Sequence, residues 1–202
     1  MIIDNIIQDF SRTFEDLGKL QPWDITDDLS NIIISIIAHL GDDYVIANNI
    51  AIHKTVIVEN GVTIKSPAIF NENCFLGSNS YFREGVYLDK FVKIGPGCEI
   101  KNSIICSNTA IAHFNYIGNS IIGRNVNFEA GSIAANHYNE RSSKRISVLF
   151  DSQIIQTNSE KFGSLVGDDS KIGANAVLSP GTILNKKSIV KRLELIEQII
   201  QG

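Results

Sequence analysis

The chain has 202 residues, 44% of them hydrophobic and 20% charged, with a formal net charge of -4. The apolar content excludes a disordered chain, the length allows one domain with appendages, and the acidic balance argues against a nucleic-acid partner. Three cysteines, Cys74, Cys98 and Cys106, cannot close a disulfide framework, so the expected compartment is reducing and cytoplasmic.

The first ten residues carry Asp4 and Asp9 and no basic stretch, which does not fit a signal peptide. Ile2, Ile3, Ile6, Ile7, Phe10, Phe14 and Leu17 fall at helical spacing, and residues 27–40 predict a second helix starting near Asp27 or Asp28. The apolar run from Ile32 to Leu40 is broken by Ser35 and His39. It is shorter than the ~20 residues a bilayer crossing needs, so no membrane partner is expected. His39 reads as a packed side chain. Residues 1–44 thus form a helical cap over an open sheet end, or a subunit contact.

From residue 46 an apolar side chain recurs every six positions: Ile46, Ile52, Val58, Ile64, Phe70, Leu76, Phe82, Leu88, Ile94, Ile100, Cys106 and Ala112. A smaller partner sits two places before most of them, and turn formers such as Asn60-Gly61 and Pro96-Gly97 lie between. A helix repeats at 3.6 residues and a flat strand at 2; a period of six fits a parallel β-helix with three flat walls and eighteen residues per coil. The expected class is mainly β, a left-handed parallel β-helix over residues 45–190, its hand taken from hexapeptide proteins. The ladder shortens by one residue at the steps to Ile117 and Ile122, continues to Phe128 and Ala134, and stops. Residues 137–163 break the period and read as a two-stranded excursion around Asp151-Ser152. The ladder returns at Val166, Ile172, Leu178, Leu184 and Val190. From about residue 188, Ile189, Leu193, Leu195, Ile196, Ile199 and Ile200 among charges predict a C-terminal amphipathic helix, with residues 191–202 as its tail.

Side chains eighteen apart stack on one wall. Lys65, Arg83 and Lys101 make an outward column of three cations, which an anionic ligand would relieve and which solvent alone could also satisfy. His113 is read in a second column with Glu59, Gly77, Gly95 and, after the shortened steps, Glu129. There Gly95 would leave open space beside the imidazole and Glu129 would orient it; an idle surface histidine is the plain alternative. No histidine pair has metal-ligand spacing, and no metal is predicted. The cysteines fall at inward or corner positions and read as packing.

The stretch from His113 to Asn136 (His-Phe-Asn-Tyr-Ile-Gly at its start, Ala-Asn at its close) resembles the acetyltransferase domain of the bifunctional UDP-N-acetylglucosamine pyrophosphorylase/glucosamine-1-phosphate N-acetyltransferase family. It is closer still to the archaeal-type sugar-1-phosphate nucleotidylyltransferases that carry such a domain. The resemblance covers about residues 45–190 and includes the break after Asn136 and the return Lys161-Phe-Gly-Ser-Leu-Val-Gly-Asp-Asp169. It implies acetyl-CoA as co-substrate and a homotrimer with sites between neighbouring prisms. It places the catalytic histidine on His113 and a catalytic asparagine on Asn136. Substrate contacts fall on Arg83, Lys101, Tyr116 and Asn127, and acetyl-CoA contacts on Ala130 and Ala174.

Three positions depart from that pattern. A family lysine falls on Ser142, with Lys144 or Arg145 as its substitute; a family serine falls on Ala174; a family glycine is replaced by Glu129. Residues 1–44 are too few for a nucleotidyltransferase domain and resemble only linker helices. The expected function is therefore CoA-dependent N-acetyl transfer to an amino-sugar phosphate or nucleotide-sugar. The alternative is a non-catalytic trimeric scaffold that binds a sugar nucleotide or serves as regulatory partner of a separate nucleotidyltransferase.

Overall fold

Each hexad becomes one short strand, and three strands close a coil. The computed structural model describes residues 2–14 and 17–199. Strands Ile50–His53, Ala68–Phe70, Ser164–Val166 and Thr182–Leu184, with Ile121–Ile122, build wall 1. Strands from Ile57–Val58 through Ala110–Ile111 and Asn127–Phe128 to Ile189–Val190 form wall 2, a seven-stranded sheet. Thr63–Ile64, Tyr116–Gly118, Ile133–Ala134, Val177–Leu178 and Leu195–Ile196 form wall 3. The longer strands Tyr81–Leu88 and Glu99–Ile105 run from wall 3 into wall 1. Pairing between coils is parallel: Ala68 lies on Val86, Phe75 on Lys93 and Thr63 on Tyr81. The architecture is the left-handed β-helix of the hexapeptide class.

Phe70, Leu76, Phe82, Leu88, Ile94 and Ile100 are fully buried inside the prism, and the rings of Phe70 and Phe82 meet edge to face at 5.1 Å. Cys106 and Ala112 are not the next rungs. The interior positions are Ile105 and Ile111, paired with Ile122 and Ile94. Both one-residue losses fall at the corner from wall 3 to wall 1. One coil earlier, that corner spends an extra residue at a bulge between Arg83 and Val86. In the next two coils, single left-handed asparagines, Asn102 (φ 46°) and Asn119 (φ 44°), turn the chain. Asparagine tolerates this backbone region better than other side chains.

The N-terminal segment covers a side of the prism, not its end. Among the described residues it forms four short α-helices: α1 (Ile2–Ile6), α2 (Phe10–Thr13), α3 (Pro22–Asp27) and α4 (Leu29–Ile37). The first expected helix is cut at Asp9, which takes φ 56°; the second forms as α4, with Asp28 at its start as expected, and α3 before it is an additional helix. Wall 1 carries apolar residues on its outer face as well: Ile69, Tyr87, Ile104, Ile121, Leu165 and Ile183 are buried against Ile3, Ile6, Phe10, Ile25, Leu29 and Ile33. A sheet covered on both faces reads as adjacent apolar pairs, and Ile104-Ile105 and Ile121-Ile122 are such pairs. Burying each of these side chains stabilises the layer by about 1.5–3 kcal/mol. Asp168 ties the layer down: its carboxylate accepts from the Gln8 N–H at 2.8 Å and the Arg124 N–H at 2.7 Å. His39, beyond α4, is exposed.

Two other expectations change, and the excursion keeps its expected form. Ile46 lies in an antiparallel entry strand, Tyr44–Ala47, paired with Ile50–His53, and is 44% exposed; it is no rung of the prism. The excursion is the expected hairpin, Ser147–Phe150 with Gln153–Gln156, and Asp151 and Ser152 both take positive φ at its turn. Val148 and Ile146 pack it into the same outer layer. The C-terminal helix is replaced by another coil: Ile189 pairs with Lys171 and Leu195 with Val177. A helix this short is marginal alone, whereas the open sheet edge offers the segment a full set of backbone partners. Residues 200–202 lie outside the described residues.

Candidate functional site

The register slip moves His113 off the column assigned to it. Gly95 lies beneath Ala112, whose carbonyl would meet an added Cβ at 2.3 Å. Glu129 lies on the other side of Ala112 in the same column, since Phe128 pairs with Ile111. Glu129 does not orient the imidazole. Its carboxylate takes a two-pronged bond from Arg192, at 2.8 and 2.7 Å, and another from the Ala174 N–H at 2.9 Å. Those donors hold it below the usual carboxylate range.

His113 belongs instead to the corner between walls 2 and 3, and there it meets two other expected residues. The Pro96 carbonyl accepts from Phe114 N–H, that of His113 from Gly131, that of Ala130 from Asn175 and that of Ala174 from Leu193, at 2.9–3.1 Å. Pro96, His113, Ala130, Ala174 and Arg192 are therefore one corner ladder, each a coil beyond the last. The next position along is left-handed throughout: Gly97, Phe114, Gly131, Asn175 and Leu193 all have φ between 55° and 74°. The exposed Phe114 ring rests on Gly97, where any Cβ would lie 2.6 Å from it. His113 is exposed, while Ala130 and Ala174 are half-buried and small. Beside this ladder, on the outer face of wall 2, is a cleft of about 500 Å³ lined by Asn127, Glu129, Lys171, Gly173, Lys191 and Arg192.

The cationic column is real. Arg83 pairs with Lys101, Lys65 lies one coil below on wall 3, and Gly118 one coil above. Its charge is largely met from within the chain. Arg83 Nε binds Glu99 at 2.7 Å, Arg83 Nη1 binds Glu84 at 2.5 Å, and Lys101 Nζ lies 3.1 Å from the other Glu84 oxygen. Lys101 is outward but buried, its side chain 9% exposed. Burial pushes the Glu84 carboxyl up, but Lys101 and Arg83 outweigh it and hold the group low.

Tyr116 joins this cluster. Its strand neighbour is Glu99, and its hydroxyl lies over Gly118, where an added Cβ would sit 2.6 Å from the oxygen. Burial raises its pKa; Glu99 and Glu84 act the same way, and Arg83 opposes them. Asn136 is buried at the corner from wall 3 to wall 1. It donates to Asn119 Oδ1 at 2.7 Å, and His137 Nδ1 lies 3.2 Å from its oxygen. Of the expected lysine substitutes, Lys144 and Arg145 are exposed, as is Ser142. Their neighbour Arg141 stacks on Tyr138 at 3.4 Å and binds Glu197.

The expected residues thus divide in two. Arg83, Lys101, Tyr116 and Asn136 lie across wall 3 and its far corner; His113, Ala130 and Ala174 line the near corner, with Asn127 around it on wall 2. Sequence counting missed Glu84, Glu99, Gly118 and Asn119. Only Gly118 left a signal, two places after Tyr116 in the quoted motif.

Three hexad walls, a stacked corner and an excursion after the fifth coil define a hexapeptide-repeat β-helix protein. The family model "Hexapeptide repeat of succinyl-transferase" matches residues 67–105 and 165–191. The chain resembles the acetyltransferase domain of the bifunctional UDP-N-acetylglucosamine pyrophosphorylase/glucosamine-1-phosphate N-acetyltransferase family. It is 32% identical to the Bifunctional protein GlmU of Methanococcus vannielii, over 93% of this chain and 45% of that protein. It is also 32% identical to the Bifunctional sugar-1-phosphate nucleotidylyltransferase/acetyltransferase of Sulfurisphaera tokodaii, over 82% and 42%. The chain spans about half the length of the curated relatives it matches. Among the described residues, no helix is long and apolar enough to cross a membrane.

Proposed function

We propose that the protein is a CoA-dependent N-acyltransferase that acetylates an amino-sugar phosphate or nucleotide-sugar, working as a homotrimer with sites between neighbouring prisms. The observation that carries this reading is the corner ladder: His113 stacks next to Ala130 and Ala174, small enough to leave a path for an extended acyl donor. The cleft beside it, with Lys171, Lys191 and Arg192, suits the donor's phosphates. The division of the expected residues between two faces supports a site completed by a second copy. Acetyl-CoA enters as substrate: the acceptor nitrogen forms the new bond to the acyl carbon, the carbon–sulfur bond breaks, and CoA thiol leaves. His113 takes the amine proton, a role typically worth 10²–10⁴-fold. Asn136 orients the reacting groups, Arg83 and Lys101 hold the acceptor phosphate, and Tyr116 and Asn127 touch the sugar. Two substrates held in one geometry supply much of the rate.

The test is release of free CoA from acetyl-CoA with a panel of amino-sugar phosphates. Wild type turns over, and His113→Ala falls by at least about 100-fold; equal inactivity of both across the panel defeats the assignment. Glu84 on the cations and Arg192 bound to Glu129 favour a second reading, a non-catalytic trimeric scaffold for a sugar nucleotide. Thermal stabilisation by acetyl-CoA but not by UDP-sugars supports the enzyme, and the reverse pattern the scaffold.

A further inference from the structure

We propose that Glu84 is a built-in competitor for the anion site, holding Arg83 and Lys101 until a dianionic phosphate displaces it. This rests on the reading of Arg83 and Lys101 as the acceptor's phosphate site. Glu84 spans the pair, one oxygen on Arg83 Nη1 and the other on Lys101 Nζ. It is the only ion-pair partner of Lys101 among the described residues, whereas Arg83 also keeps Glu99. The two ends of the bridge differ in freedom. The Lys101 side chain is 9% exposed and the Glu84 side chain 54%, so the carboxylate can leave into solvent and the ammonium cannot follow it.

The backbone puts Glu84 there. It adopts φ 59°, followed by Gly85 at φ 94°, within the bulge between Arg83 and Val86. The equivalent corners one and two coils on use Asn102 and Asn119 and carry no charge. Exchange of one carboxylate for another gains nothing electrostatically. A phosphate monoester carries about -1.5 to -2 charge at neutral pH and three acceptor oxygens, so it outcompetes a single carboxylate where a monoanion does not. Glu84 thereby makes the site selective for phosphate over carboxylate ligands and weakens its affinity for both.

The experiment is calorimetric titration of the full chain with inorganic phosphate, and separately with acetate, at pH 7.5. Wild type is compared with Glu84→Gln, Lys101→Met and the double variant. Glu84→Asn, a residue that tolerates the left-handed backbone, serves as a second test if the glutamine variant misfolds. Removal of the carboxylate should tighten phosphate by about tenfold or more and bring in measurable acetate binding. Lys101→Met should abolish both. Equal phosphate affinity in wild type and both Glu84 variants, still lost with Lys101→Met, overturns the role of Glu84 and leaves the anion site standing. No phosphate binding in any variant overturns the anion site and this inference together.

Discussion

Ile104→Ala separates a helical layer on wall 1 from helices that cap an end. Ile104 faces out of the prism, yet it is fully buried, and α4 packs on its strand. The substitution removes three buried carbons, about 2.4 kcal/mol at ~0.8 kcal/mol each. The cavity left under a partly relaxed helical layer adds to this, for a total of about 3–4 kcal/mol. Ile189, outward on wall 2 and 74% exposed, provides the control, and Ile189→Ala should cost under about 0.5 kcal/mol. The assay is urea unfolding followed by circular dichroism, at one fixed protein concentration so that association contributes equally. If both variants shift the midpoint equally, or if Ile104→Ala loses less than about 1 kcal/mol, Ile104 is not covered by the helices and the layer assignment is wrong.

Asp168→Ala leaves the Gln8 and Arg124 N–H groups without their carboxylate. A loss of about 1–3 kcal/mol per orphaned group is expected, with faster proteolysis before residue 40 in limited digestion. Gly118→Ala drives a methyl against the Tyr116 hydroxyl; acceptor kcat/KM should fall several-fold while the circular dichroism spectrum and acetyl-CoA binding are kept. Burial pushes the Cys74 thiol up to about 12 and raises Cys98 and Cys106 as well. All three should resist a thiol reagent at pH 8 in the native protein and react only after unfolding.

The prism was readable because its period is carried by every rung: an inward side chain each sixth residue writes the wall length directly into the chain. The Lys65–Arg83–Lys101 column follows from the same count and survives, because no corner changes length between those residues. The count fails at the very next residue. At Asn102 the corner loses a residue through one left-handed torsion, so that a strict count of six falls one place out at Cys106, Ala112 and the column of His113. Residue type alone does not tell a six-residue from a five-residue step there, because both spacings present apolar residues: Ile105 beside Cys106, Ile111 beside Ala112.

The sequence by itself determined the repeat, the three-walled coil, the excursion hairpin and the cation column, since each depends on neighbours within one coil or on strict addition of coils. Only the tertiary structure decided where the helices lie, what the C-terminal segment becomes and what meets the cations. Those depend on partners far apart in the chain: α4 on Ile104, Ile189 on Lys171, Glu84 on Lys101. An amphipathic segment has one apolar stripe whichever surface it meets, and a short one takes whatever backbone partners lie nearest. At the end of this prism that partner is an open strand edge, and along wall 1 it is a second apolar face.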